Sequence, residues 1–488
     1  MMLRAIPLSS LGLVTALALI PSEWVRGQFV EPDVTVLHEF TGTGTFGWAV
    51  ADLADIDGDG VKEAIIGAPM YGATPRFAGQ VTVYSGRTGA LLHTFTGATA
   101  NWQLGYAVAD AGDVDGDGLH DIIAGAPILG AGRAQVFSGA PSGALLWTVN
   151  GETTGDRFGA AVCSAGDIDG DGHADFAVGA LSHGGAGRVY VFSGATGLLL
   201  RSMDGTSGSN FGAGLALAGD VNQDGKADLI VGAPHAGPSP FGRAYVFSGL
   251  DGSLLLPPLA PDAPTTGAFG TFFVAGVGDV NGDGVIDLYV GDYANTVNGP
   301  GSGKAFVYSG LDGSLIRTFA GSSGSGLGPG RGAGDVNGDG HADLIIGSYT
   351  SSGGASSAGK IEIYSGADGS LLRSMTSTLA NIQLGFDAVG LGEVNSDCAI
   401  DFLCSAANGN RVYIIGGNPT LIPGDLNCDC LVNASDIVPF VLALLDPAAY
   451  QSGYPGCDIH RADVNGDSVI DGRDISEMIR RLLPPPGP

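Results

Sequence analysis

The chain has 488 residues, long enough for one large domain and a small one, and a 44% hydrophobic content that can fill a core of that size. Asp and Glu outnumber Lys and Arg by 50 to 21, and the resulting charge of −29 repels phosphate backbones, which excludes nucleic acid as a partner. The 84 glycines recur with a period rather than scattering, so they speak for the turns of a repeat and against a low-complexity chain.

The N-terminus reads as an export signal over residues 1–27. Arg4 supplies the positive charge and "PLSSLGLVTALALI" the apolar run. That run is shorter than the roughly 18 apolar residues of a membrane span. Cleavage is expected after Gly27, with Ala16–Ala18 as the competing site and an uncleaved anchor as the alternative. The mature protein is therefore expected to be secreted, extracellular or at the cell surface. There it meets calcium and an oxidising medium that makes its six cysteines available for disulfides.

Next comes "VTVLHEFTG", Val34–Gly42. It resembles the "LLHTF" segment that ends later repeats, and the last repeat stops after "RVYIIGG" without one. Residues 34–40 are thus expected to pair as the outer strand of the last repeat and close a ring.

Seven acidic loops follow, their first ligands about 56 residues apart from Asp55 to Glu393. Each offers side-chain oxygens at positions 1, 3 and 5, a backbone carbonyl at position 7, and an acid at position 9. The sets are Asp55, Asp57, Asp59, Val61 and Glu63, then Asp113, Asp115, Asp117, Leu119 and Asp121. The third is Asp167, Asp169, Asp171, His173 and Asp175, and the fourth Asp220, Asn222, Asp224, Lys226 and Asp228. The fifth is Asp279, Asn281, Asp283, Val285 and Asp287, and the sixth Asp335, Asn337, Asp339, His341 and Asp343. A worn seventh carries Glu393, Asn395, Asp397 and Asp401, with Cys398 where the position-6 glycine belongs. The plain alternative is a set of Asx turns with solvated acids. Six full copies argue against it, because unscreened carboxylates a few ångströms apart repel strongly. A hard cation with six to eight oxygen ligands fits, and calcium fits better than magnesium, which retains its waters. Transition metals would ask for His or Cys side chains. An acid at position 9 followed by a β-branched run distinguishes these loops from EF-hands, which close at position 12 and continue as a helix.

Around every loop run four strand-sized segments separated by Gly and Asp-Gly turns. Four strands repeated seven times predict a mainly β fold, a seven-bladed β-propeller with calcium loops, a linear solenoid being the structural alternative. "FG" before the loop and "GAP" after it, at Gly67–Pro69, Gly125–Pro127 and Gly232–Pro234, resemble FG-GAP repeats. Those repeats build the propeller of integrin α-subunits and of many secreted bacterial proteins. The resemblance covers about residues 34–417. It implies that the calcium loops join first and second strands on the lower face and that partners meet the opposite face. The fifth to seventh copies lack "GAP" and read Gly291-Asp292-Tyr293, Gly347-Ser348-Tyr349 and Ser405-Ala406-Ala407.

Residues 418–424 read as a linker, and beyond it the spacing changes. Asp425, Asn427, Asp429, Leu431, Asn433 and Asp436 form one loop, and Asp463, Asn465, Asp467, Val469, Asp471 and Asp474 another. Position 12 is now filled and helical patterns follow, "IVPFVLALL" and "ISEMIRRLL". This pair resembles a dockerin domain over residues 425–484. That resemblance implies two calcium loop-helix units and a cohesin on another protein as partner. Cys430 and Ser468 replace the position-6 glycines. The pairs at positions 10 and 11 differ between the units, Ala434-Ser435 against Gly472-Arg473. A small calcium-stapled domain without a cohesin is the alternative.

Among the cysteines, Cys428–Cys457 is the expected bridge, with Cys430–Cys457 as its alternative. Cys398 and Cys404 are expected to pair across the hairpin of the last repeat, and Cys163 to be a small buried side chain. No HExxH, Walker loop or serine elbow is present. His120, His173 and His341 fall in the metal loops as incidental residues. The longer loops on the other face carry Tyr71, Phe77, Trp102, Tyr293 and Tyr349 as candidate aromatic anchors, Tyr71 and Tyr293 first. The sequence thus points to a non-catalytic, secreted, calcium-binding adhesion or scaffolding protein that contacts an extracellular protein or polysaccharide. A propeller enzyme acting on polysaccharide and a purely structural surface element are the competing readings.

Overall fold

The computed structural model describes residues 27–237, 241–263, 268–418, 423–454 and 457–482. The expected signal segment and the middle of the expected linker lie outside these residues. Seven antiparallel sheets follow one another along the chain, and the first strand of each packs against the first strand of the next, the seventh against the first. This is a seven-bladed β-propeller with a small helical region behind it.

Position in the blade explains the strand sequences. First strands such as Ala49–Leu53 and Leu327–Gly334 are rich in Gly and Ala because seven of them converge on one axis. Second strands such as Asp121–Ala126 and Asp343–Ser348 are buried at every residue, since blades cover both of their faces. Seven separate hydrophobic cores result, one in each gap between consecutive blades.

The repeated glycines meet across those gaps. A Cβ on Gly67, the glycine of the first "GAP", would stand 2.2 Å from the carbonyl oxygen of Gly105, the "FG" or "LG" glycine of the next blade. Gly105 itself has φ +87, a backbone that side chains disfavour. The same collision recurs at Gly125, Gly179, Gly232 and Gly347. The two motifs are thus the two halves of one backbone-to-backbone contact between blades.

A second device links the blades from outside. The third residue of the fourth strand donates into the turn after the third strand of the following blade. His93 reaches the carbonyl of Gly139 at 3.0 Å, Trp147 that of Gly194 at 2.8 Å, and Arg201 that of Leu250 at 2.9 Å. Arg317 reaches Gly366 and Ala367, and Arg373 reaches Gly416 at 2.6 Å. His38 does the same toward Arg87 at 3.1 Å from the strand Val36–Thr41. That strand pairs antiparallel with Arg411–Ile415, matching Phe40 to Val412, so the start of the chain supplies the outer strand of the seventh blade.

The fourth blade departs from the four-strand expectation. It has three strands among the described residues, and its outer edge is held only by isolated bridges at Leu254 and Leu259. Pro257 and Pro258 fall between them, and a residue without an N–H cannot continue a ladder.

The C-terminal region packs helices α1 (Ile437–Leu445), α2 (Pro447–Gly453) and α3 (Asp474–Leu482) around Leu426, Phe440, Tyr450, Val464 and Met478. Two disulfides fix it. Cys428 is bonded to Cys457, while Cys398 of the seventh blade is bonded to Cys430. The expected Cys398–Cys404 pair does not form. Cys404 points into the core between the sixth and seventh blades from the middle of a buried strand, and Cys398 sits outside it on the acidic loop. Cys163 is buried and free.

Candidate metal loops and the axial mouth

Each acidic loop is wound on its own carboxylates. In the second, Asp113 accepts the N–H groups of Gly116, Asp117 and Gly118 at 2.7, 3.1 and 2.9 Å. Asp115 accepts from Asp117, and Asp117 from Leu119. The turn N–H groups thereby fix the side chains at positions 1, 3 and 5. The closing Asp121 is fully buried and ties the loop to the blade, accepting from Val114 at 2.8 Å and from Gly139 at 3.0 Å. The same double anchor recurs at Glu63, Asp175, Asp228, Asp287, Asp343 and Asp401, each reaching a glycine after the third strand.

Ligand oxygens come together in four of the loops. Asp55, Asp57 and Glu63 place carboxylate oxygens within 4.8 Å of one another, as do Asp113, Asp115 and Asp121, and Asp167, Asp169 and Asp175. In the C-terminal region Asp425, Asp429 and Asp436 do the same. Asparagine stands at position 3 in Asn222, Asn281, Asn337 and Asn395, and in Asn427 and Asn465 of the two C-terminal loops, so these loops carry fewer charges around the same turn. Glu393 folds back on its own loop, accepting from Asn395 and Cys398. The sulfurs of Cys398 and Cys430 lie beside it but are spent on their disulfide.

Burial dominates the electrostatics of the closing acids. It pushes Glu63 and Asp121 up to about 7, and Asp287 and Asp401 up to about 6, with loop carboxylates such as Asp57 and Asp115 adding to the effect. A hard cation relieves that stress by balancing the charge. The donor set is all oxygen, which suits calcium.

The position-7 side chains have a use that the sequence did not disclose. His173 bonds the carbonyl of Val114 in the preceding blade at 3.0 Å, and His341 that of Val280 at 3.1 Å. Lys226 takes the carbonyl of Asp167 at 2.5 Å. The third, fourth and sixth loops are thus latched to the loop before them. His120 instead pairs with Asp110 at 2.8 Å, and that bond raises its pKa.

At the opposite end of the axis, where the first strands begin, aromatic rings form a closed circuit. Trp48 stands 5.6 Å from Tyr106 and 5.0 Å from Phe386, centroid to centroid. The circuit runs on through Phe272, Phe273, Tyr293 and Tyr349 back to Phe386, with steps of 5.6 to 6.4 Å. It surrounds a cavity of about 270 Å3, also lined by Arg331 and Asp387. The Arg331 guanidinium lies 3.2 Å from both oxygens of Asp387, whose carboxylate also accepts from Val50 of the first blade at 3.0 Å. Tyr293 and Tyr349 are therefore at the mouth. Tyr71 and Trp102 instead pack against the blade cores, Trp102 beneath the guanidinium of Arg133, and Phe77 lies under Arg76.

Trp48, Tyr106 and Phe386 were missed, yet they share one repeat position, directly after "FG" or "LG". Tyr293 and Tyr349 occupy the position of the proline in "GAP".

Comparisons agree with this architecture. The FG-GAP repeat family matches residues 46–84, 158–192, 211–247 and 332–364, and the dockerin type I domain matches residues 423–483. Integrin alpha-V of Gallus gallus is 35% identical over 210 residues, covering 38% of this chain and 20% of that protein. Integrin alpha-PS2 of Drosophila melanogaster is 33% identical over 37% of this chain and 14% of its own length. Integrin alpha-IIb of Homo sapiens is 36% identical over 39% and 20%. The chain thus spans a fifth or less of the relatives it matches.

Proposed function

From a chain that carries FG-GAP repeats in a seven-bladed, integrin-alpha-like propeller and a dockerin type I domain behind it, we infer an extracellular or cell-surface protein that acts in adhesion or scaffolding without catalysis. The observation that carries this reading is the coexistence of the two modules, one suited to contact and the other to attachment. No described helix is long and apolar enough to cross a membrane. The dockerin match assigns attachment to the C-terminal module, through a cohesin-type protein, in this reading.

Calcium is part of the reading. The six full propeller loops would hold it through positions 1, 3, 5, 7 and 9, and the two C-terminal loops through positions 1 to 12. When bound, it supplies charge balance for the converging carboxylates. The chain's own residues supply the rigidity, because the closing acids anchor each loop to its blade and His173, Lys226 and His341 tie loop to loop. The C-terminal module offers Val438, Val441 and Leu445 on α1 and Ile475 and Ile479 on α3 as exposed apolar side chains. Such a face suits a protein partner.

The test is binding of the full chain to a panel of cohesin modules with calcium and with chelator. Calcium-dependent capture is expected, weakened by Val438→Asp. Failure to capture any member would overturn the cohesin assignment.

A further inference from the structure

We propose that the aromatic mouth of the propeller binds a neutral saccharide, the sugar ring stacking on the aromatic walls and its hydroxyls reaching the Arg331–Asp387 pair at the floor. The inference rests on the adhesion reading above and names the ligand class of the propeller face.

Charge decides against an ionic guest. Although the chain carries −29, Arg331 and Asp387 are the only charged residues lining the cavity among the described residues, and they are bonded to each other. A cation is drawn to the ring faces yet meets the Arg331 guanidinium at the floor, where a neutral guest meets no like charge. An anion would face Asp387 and the negative faces of the rings.

Unpaired polar groups decide against a purely apolar guest. The indole N–H of Trp48 and the hydroxyls of Tyr106, Tyr293 and Tyr349 make no hydrogen bond with any described residue. All four residues are only half-buried, so water satisfies them in the free protein. An apolar guest would strip that water without replacing it, at a cost. A sugar presents C–H faces to the rings and hydroxyls to these groups, so both demands are met by one ligand.

Size sets the scale. Drug-sized ligands fill cavities of roughly 300–1,000 Å3. The mouth, at about 270 Å3, suits a terminal sugar ring better than a buried long chain.

The experiment uses the full chain in calcium, screened against immobilised neutral oligosaccharides and then measured by titration calorimetry. Retention of at least one neutral class is expected. Tyr293→Phe, which keeps the ring and removes the hydroxyl, should weaken binding about threefold to tenfold. Trp48→Ala should weaken it about tenfold or more. Both variants should keep the parent's capture by a cohesin-type partner. No retention of any neutral oligosaccharide, retention untouched by both variants, or binding of Lys/Arg-rich peptides instead would overturn the proposal. A chain that docks through its tail yet binds no glycan overturns this inference and leaves the docking reading standing.

Discussion

Cys398, at the glycine position of the seventh propeller loop, is disulfide-bonded to Cys430, at the glycine position of the first C-terminal loop. Both residues adopt a left-handed backbone, φ +68 and +67, as the glycines of the other loops do. The staple therefore replaces two glycines without changing the turn that either loop needs. Beside it Arg461, itself buried, bonds the buried Asp425 at 2.5 Å. The module behind the propeller is covalently fixed to the face that carries the acidic loops, opposite the aromatic mouth.

A protease cut between residues 418 and 424 should therefore leave one covalent particle. The fragments should separate on a gel only after reduction. Cys398→Ser should release the fragments without reductant and cost about 3 kcal/mol of stability. Separation of the parent fragments without reductant would refute the cross-link.

The inter-blade latches should matter most where they are buried. Arg373 is buried and gives Gly416 and Asp33 a charged donor each. Arg373→Ala strands the carbonyl of the buried Gly416 and should cost about 2 to 3 kcal/mol in chemical unfolding. A change within about 0.5 kcal/mol would show the latch to be ornamental.

Deletion of residues 34–40 should lower the melting temperature, since it removes the strand that pairs with Arg411–Ile415 and the partner of Arg411, Glu39. An unchanged melt would remove ring closure from the account.

With calcium chelated, stability should fall as pH rises. The closing acids titrate near 4 in the unfolded chain. Burial raises Glu63 and Asp121 to about 7 when folded. Between those values the folded chain holds more protons than the unfolded one, so the contribution is full below about pH 4 and lost through about pH 7. Chelated protein should melt higher near pH 5 than near pH 7.5, and calcium should remove that difference by favouring the ionised acids. A chelated melt that rises over this interval would contradict the assignment.

Much of this was legible because it repeats. The period exposed the blades, and alternating carboxylates exposed the loops. The latches were hidden because His93, Trp147 and Arg373 share only a long side chain ending in an N–H, which no residue pattern displays. The mouth was hidden because its rings come from two different repeat positions and meet only at the axis. Cys398–Cys430 joins two regions whose spacings are unrelated, so local periodicity could not pair them. The missing edge of the fourth blade was written in Pro257 and Pro258.

Calorimetric melting of the full chain at neutral pH, in saturating calcium and in excess chelator, tests the central claim most directly. Each site stabilises the fold by about 2.7 kcal/mol when calcium stands a hundredfold above its dissociation constant. Several such sites should raise the melting temperature by many degrees, and identical melts would contradict a calcium-built propeller.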